Sequence, residues 1–357
     1  MRITEIDSCS DLFALKDRWN DVLRRCDHSV FSTWEWHLTW WKYFGKERGL
    51  RVLIAQEKDE ILGIAPLMLS EYSFLHVGKL RKIEFAGSQS SDYNNFILPN
   101  EKCAKLFLNH LLKFSDWDLL ELRDINEEST SANALQAICS SHTLKLKLNV
   151  SSLCPYVNLP TSLEVFVNRL GRNMRRNLRK RMRKLQVEHK VEVKSQRDFG
   201  SIRESMQLFF KLHQKRWRLK EKPGAFVDEA FRDFHVNLAR IFDEKGWLAL
   251  YFLTADDMPV AALYSFDYNL KKYGYLTGFD PDFGNYGVGN LLKMYAIEEC
   301  IRKGFKEYDM TRGFEPYKLD WATGVRKNFV VKMVNKGWRA PLLSRITQIR
   351  NRLAENS

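Results

Sequence analysis

Apolar residues recur every three or four positions between residues 11 and 25, at Leu12, Leu15, Trp19, Val22 and Leu23, and that spacing predicts an amphipathic helix. A second helix is expected over 34–44. Residues 51–56 and 61–69 read as two strands joined by a turn at Lys58, Asp59 and Glu60. Further strands are expected at 81–85 and 93–98, then a helix over 102–113 and a strand over 118–123. The same order returns downstream. Residues 201–218 have helical spacing, with Ile202, Met206, Phe209, Phe210, His213 and Trp217 near one face, and 228–244 form a second helix. Residues 247–254 and 260–268 form a hairpin about Asp256 and Asp257, followed by a strand at 273–279, a helix at 289–303 and a strand at 307–311.

The local text agrees with this repetition: "LIAQEKDEILGIAPL" parallels "LYFLTADDMPVAALY", and "WDLLELRDI" parallels "FKEYDMTRG". Two copies of helix–helix–hairpin–strand–helix–strand imply duplicated α/β (α+β) units, each a twisted mixed sheet flanked by helices. The copies have diverged. Only the second carries a glycine-rich turn, and only the first carries the run Ser90, Ser91, Asp92, Tyr93, Asn94. The expected domains are 1–158, without the glycine loop, and 201–340, with it. A connecting segment, 159–200, and a basic tail, 341–357, complete the chain.

The connecting segment holds the strongest bias in the sequence. Nine of the sixteen residues from 169 to 184 are basic, and no acid interrupts them. Leu170, Met174, Leu178, Met182 and Leu185 make a thin apolar stripe, while Arg172, Arg175, Arg176, Arg179 and Arg183 occupy the other faces. This predicts a helix docked by one stripe with arginines outward. A merely solvated face would mix signs, so anion binding is expected at Arg175 and Arg176: RNA backbone, CoA, a nucleotide-sugar or anionic lipid. Residues 342–353 are a second basic amphipathic candidate.

A hydrophobic content of 45% excludes a disordered chain, and 357 residues suit two domains of ordinary size. The net charge of +13 again favours anionic partners. The six cysteines show no metal-ligand or redox spacing and read as reduced thiols. No metal is expected. The N-terminus carries acids and no long apolar run, and no stretch approaches the ~20 apolar residues needed to span a bilayer. The expected location is the cytoplasm, with contact at the inner face of the membrane left open.

Six places carry candidate chemistry. Gly284, Asn285, Tyr286, Gly287, Val288, Gly289 and Asn290 lie between a strand and a helix, where glycines admit an anion and a helix start offers free N–H groups. This is not the dinucleotide fingerprint, which needs a different glycine spacing and a later acid. Arg312, Glu315, Tyr317 and Lys318 crowd a loop at a strand end: either a site, with Glu315 as base and Tyr317 as acid, or a solvated turn with Arg–Glu pairing. His213 is a candidate base or a core histidine, and its neighbours Arg216 and Trp217 are candidates to hold substrate. Asp280 precedes a proline, as a turn starter or as a substrate-facing carboxylate. Asp92 and Tyr93 offer hydrogen bonds to a polar acceptor, or a turn. Arg175 and Arg176 complete the set.

Taken together, "VFSTWEWHLTWW", "FAGSQSSDYNNFIL", "LHQKRW", "YLTGFDPDFGNYGVGNLL" and "YDMTRGFEPYKLDWA" resemble the CelD/BcsL-like branch of the GNAT acyltransferases, relatives of the FemABX aminoacyltransferases. The resemblance covers nearly the whole chain. It implies two fused GNAT-like folds, acyl-CoA (acetyl-CoA) held by the second, and a role in polysaccharide or cell-envelope synthesis. The reaction it implies is acyl transfer to an amine or hydroxyl of a sugar or glycan precursor, by direct attack in a ternary complex. The usual GNAT loop reads Arg/Gln-x-x-Gly-x-Gly/Ala; here Gly284 stands in the Arg/Gln position, while Gly287 and Gly289 fit. In FemABX relatives the donor is aminoacyl-tRNA and a basic helix lies between the halves, which makes tRNA a second candidate donor. A third reading is a non-catalytic basic scaffold on membrane or nucleic acid.

Overall fold

The computed structural model describes residues 1–74, 78–142, 144–219 and 221–335. The expected helix at 342–353 and the tail 341–357 lie outside the described residues. The chain divides into two units, 1–152 with 327–357, and 153–326. The sequence ended the first domain at 158 and began the second at 201; the second unit instead begins at 153 and takes in the segment 159–200, and the strand 324–334 crosses back out of it.

The first unit contains β1 (Arg2–Ile6), α1 (Cys9–Ala14), α2 (Lys16–Leu23), α3 (Trp34–Phe44), β2 (Gly49–Glu57), β3 (Glu60–Phe74), β4 (Gly78–Phe85), α4 (Lys102–Leu111), β5 (Leu119–Asn126) and α5 (Thr130–Ser140). The strand β6 (Lys147–Asn158) carries the chain into the second unit. There follow α6 (Leu163–Arg169), α7 (Arg172–Glu188), β7 (Val191–Ser195), α8 (Ile202–Arg218), α9 (Glu229–Glu244), β8 (Leu248–Ala255), β9 (Met258–Tyr268), β10 (Lys271–Phe279), α10 (Val288–Arg302), β11 (Glu307–Asp309) and α11 (Pro316–Leu319). The strand β12 (Gly324–Val334) returns to the first unit.

The first unit's strands run β1-β2-β3-β4-β5-β12, all neighbours antiparallel except the β4/β5 pair. The second unit's run β7-β8-β9-β10-β11-β6, all antiparallel except β10/β11. The two patterns are the same, which is the duplication seen in the sequence. Each sixth strand, however, comes from the other half of the chain: Asn328–Val334 pair with β5, and Tyr156–Asn158 pair with β11.

Local chemistry explains most elements. Asp256 and Asp257 have φ of 50° and 64°, the left-handed pair that a tight hairpin needs between β8 and β9. Ser201 and Glu204 form a capping box at the start of α8. Each unit has its own core. In the first, Leu53, Ile83, Phe107, Trp117 and Leu122 are buried together, and in the second Leu253, Leu263, Leu291, Ile297 and Met310. No helix among the described residues is long and apolar enough to cross a membrane.

Three expectations need correction. The single helix expected over 11–25 is two, broken at Leu15, whose N–H closes the first helix while its carbonyl starts the second. The strand expected over 93–98 does not form; only the isolated bridge between Ile64 and Ile97 remains. Its aromatic and branched residues are buried as an irregular segment instead, because burial, and not sheet pairing, was what their composition demanded. The glycine loop before α10 is wound into a 3₁₀ turn, Pro281–Tyr286.

Three buried histidines make stability pH-dependent. Burial pushes His37 and His213 down to about 4 and His235 to about 3. All three stay neutral in the native state, while an unfolded histidine binds a proton near 6.5. The unfolded chain therefore holds more protons below pH 6.5, and stability is full above that pH and lost as pH falls towards 4. Between pH 6 and 4 the loss should be on the order of 1 kcal/mol per histidine per pH unit. Urea midpoints measured across this range check it. The residue that reports most cleanly is His235, so a phenylalanine there should shallow the slope.

Candidate active site

The second unit holds a cleft of about 370 Å³ at the start of α10. That volume suits a small-molecule site, for which about 300–1,000 Å³ is usual. The cleft exists because β10 and β11 part company. They pair only from Lys271 to Tyr273, so the remainder of β10 has no ladder partner on that side. Thr277 and Phe279, from this freed stretch, line the cleft.

Its floor is the glycine turn. Gly287 caps α10 in the left-handed conformation, φ 61° and ψ 37°, so the chain reverses into the helix there without a side chain in the way. The N–H groups of Val288 and Gly289 lie in the first turn of a fifteen-residue helix and have no intrahelical acceptor. With the positive end of the helix dipole they form a seat for an anion.

The arginine-rich helix α7 is one wall. The Tyr286 hydroxyl donates to Glu188 near the end of α7, and the Lys184 ammonium stands 4.9 Å from the centre of the Tyr286 ring. A Cβ on Gly287 would lie 2.6 Å from Nη1 of Arg181. Arg181 thus reaches over the turn and lines the cleft. It supplies a guanidinium where Gly284, in the position of the usual loop arginine or glutamine, has none.

The helix α8 is the opposite wall. It lies directly on β10 because residue 278 is glycine: a Cβ there would meet the His213 backbone nitrogen at 2.4 Å. This close approach brings Arg216 to the cleft, where its Nη1 donates to the Thr277 carbonyl at 3.1 Å and to the Thr277 hydroxyl. Tyr317, at the start of α11, closes the remaining side.

Of the residues named from sequence, Gly284, Gly287, Val288, Gly289, Asn290, Arg216 and Tyr317 come together here. Asn285 is exposed on the turn, and Tyr286 faces α7. His213 is 1% exposed among aromatic rings, and its Nε2 accepts from the Trp217 indole at 2.8 Å. Both are packing residues in this arrangement. Asp280 caps the 3₁₀ turn through the Asp282 N–H and pairs with Lys215. Lys318 is buried, donating to the Arg312 carbonyl at 2.8 Å and pairing with Glu315 at 3.2 Å. Burial raises the Glu315 carboxyl, but Lys318 and its own backbone outweigh this and hold it below its ordinary value. The Arg312 side chain is exposed. Arg175 and Arg176 lie along the outer part of α7, with Arg175 donating to Asn168 at 3.2 Å.

Asp92 and Tyr93 are buried in the first unit. The Asp92 carbonyl accepts from Asn328 at 2.9 Å, and Tyr93 packs near Phe31. Ser90 and Ser91 accept from the indoles of Trp40 and Trp36, so this polar run anchors α3.

Sequence reasoning missed Arg181, Thr277 and Lys293, all of which line the cleft. Lys293 had a readable signal. It falls four residues after Gly289, inside a helix whose other buried residues include Leu291, Leu292, Ala296 and Ile297. A lysine on such a face is a conflict that a site would explain.

Residues 172–319 match the family model described as acetyltransferase (GNAT) domain, and the class this defines is a GNAT-type acyltransferase. Similar solved structures extend the likeness to the whole chain. FemX is 10% identical, with a TM-score of 0.66 over 97% of this chain and 99% of FemX. The C-terminal domain of a putative lysylphosphatidylglycerol synthetase from Agrobacterium fabrum is 11% identical, with a TM-score of 0.56 over 96% and 97%. A tandem GNAT protein from the clavulanic acid biosynthesis pathway is 8% identical, with a TM-score of 0.50 over 92% and 98%. At such identities the likeness is one of fold, a mixed α/β architecture similar to that of the tandem GNAT structure. Comparison with curated proteins gives no match.

Proposed function

We propose that the second unit transfers an acyl group, acetyl in the simplest case, from acyl-CoA to an amine or hydroxyl of an acceptor. The observation that carries this reading is the start of α10, where the N–H groups of Val288 and Gly289 have no intrahelical acceptor and open onto a cleft flanked by Arg181 and Arg216. A pyrophosphate is the anion that such a seat suits, with hydrogen bonds from Val288 and Gly289 and a guanidinium on each side. Tyr317 lines the same cleft with a phenol that can donate or accept a hydrogen bond. The acceptor class that the CelD/BcsL-like resemblance implies, a sugar or cell-envelope precursor, belongs to this proposal.

A second reading has its own support. The fold is similar to FemX over nearly the full chain, and the outer part of α7 presents Arg172, Arg175, Arg176 and Arg179 together. That combination fits an aminoacyl-tRNA donor, whose backbone would meet these arginines. One experiment separates the two. Calorimetry with acetyl-CoA and filter retention of total tRNA, both at physiological salt, should give a binding isotherm for acetyl-CoA and no retained tRNA. Retained tRNA without an acetyl-CoA isotherm reverses the order of the readings.

A further inference from the structure

Lys293 is the least expected group in the cleft. It is 6% exposed, and its Nζ has no hydrogen-bond partner among the described residues. It lies one turn of α10 beyond Gly289, on the same face and about 6 Å further along the axis. It lines the cleft beside Tyr317, with Nζ 4.5 Å from the centre of that ring and 5.5 Å from that of Trp321.

An ammonium in this position is poorly served. Burying an unpaired charge is costly, and two aromatic faces return only a small part of that cost. The neighbours add to the cost. Lys318 from α11 and Arg216 from α8 are cationic, Arg181 from α7 lines the same cleft, and Glu315 and Asp320 oppose them. Burial first, then Lys318 and Arg216, push the lysine down to about 7. A neutral amine with a free lone pair is therefore available at ordinary pH.

Three other titratable groups nearby are engaged. Glu315 is bound to Lys318 and held below its usual range, which makes it a weak base. Asp280 is paired with Lys215, and the His213 lone pair at Nε2 is engaged by Trp217.

We propose that Lys293 is the general base of the cleft, its Nζ removing the proton from the attacking N–H or O–H of a neutral acceptor. This rests on the acyl-CoA reading given above. Nζ accepts the proton as the acceptor's nitrogen or oxygen forms its bond to the thioester carbon. The C–S bond breaks with its electron pair leaving on sulfur, and the Lys293 ammonium returns the proton to the thiolate, so the lysine ends neutral.

The test uses the full-length protein with acetyl-CoA as probe. Competitive labelling with trace acetic anhydride, followed lysine by lysine by mass spectrometry from pH 5.5 to 10, should show Lys293 titrating near neutrality. Lys190, whose ammonium Glu192 and Asp257 hold above the ordinary lysine range, should titrate far higher. Acetyl-CoA should slow labelling of Lys293 at least tenfold and leave Lys190 unchanged. In calorimetry, Lys293→Met should bind acetyl-CoA within about twofold of the wild type. Thiol release from acetyl-CoA should fall about 100-fold in that variant, with loss of the acid limb near pH 7. Titration of Lys293 with the surface lysines would overturn the proposal, as would an acid limb retained in Lys293→Met. A tenfold loss of acetyl-CoA affinity in that variant would make Lys293 an anion anchor and not the base. If the wild type gives no acetyl-CoA isotherm while Lys293 still titrates low, the donor assignment fails, and the base role fails with it.

Discussion

Gly287→Val is expected to weaken acetyl-CoA binding by at least 100-fold, about 2.7 kcal/mol. Two effects add. Residue 287 sits at φ 61°, a conformation that costs a side-chain-bearing residue about 1–2 kcal/mol, and more if it is β-branched. The new Cβ would also lie 2.6 Å from the Arg181 guanidinium. Arg181 can move, but only by leaving the cleft, and a charge-assisted hydrogen bond to phosphate is worth about 1.5–3 kcal/mol. The neighbouring glycines are controls. Nothing lies within 4 Å of a Cβ at Gly284, so Gly284→Ala should be silent. A Cβ at Gly289 meets only Phe279, at 4.0 Å, so Gly289→Ala should fold normally and bind a few-fold more weakly. Arg181→Met separates the two contributions, since it should lose affinity without loss of thermal stability. Calorimetry and thermal unfolding on the four variants measure both quantities. Equal affinity in Gly287→Val and the wild type would remove the glycine turn from the site.

Arg326→Met should be the most destabilising single change in the second unit, by about 3–5 kcal/mol. Arg326 is buried, donates from Nη1 to Glu307 at 2.9 Å and to Asp309 at 3.3 Å, and lies 3.8 Å from the centre of the Tyr156 ring. Both carboxylates are buried as well. The arginine is the third residue of β12, the last of this unit before the strand leaves it, and Glu307 and Asp309 are the ends of β11. Removing it takes the buried cation from two buried carboxylates, leaving Glu307 with Lys271 at 3.9 Å and Asp309 with the Thr311 N–H, and such a loss costs far more than the pair itself contributes. Adding Glu307→Gln and Asp309→Asn to Arg326→Met should recover part of the loss, because neutral amides carry a smaller desolvation cost. Urea unfolding at neutral pH gives the comparison. A single variant within 1 kcal/mol of the wild type would mean that water reaches these carboxylates.

The elements that were legible are those whose cause is local. The hairpin about Asp256 and Asp257 follows from two residues that tolerate left-handed backbone. The start of α8 follows from a serine and a glutamate three apart, and the helix α7 from a stripe of Leu and Met. The glycine turn before α10 was found for the same reason. Short or polar elements were not found: β1, β7 and β12 lack strong periodicity and exist because a neighbouring strand accepts them. The run 93–98 failed in the opposite direction, since its apolar residues were satisfied by burial without a ladder.

By itself, the sequence determined the duplicated order, the glycine turn and the arginine-rich helix, because each rests on residues within a few positions of one another. Only the tertiary structure decided which side chains meet. It took β6 and β12 out of their own halves, laid α7 beside Gly287 so that Arg181 fills in for a missing loop side chain, and enclosed Lys293 between rings and cations. Charge, burial and hydrogen-bond partners are properties of neighbours in space. His213 and Asp280 each carried two readings until packing supplied them with partners, whereas the buried Lys293 Nζ has no hydrogen-bond partner among the described residues.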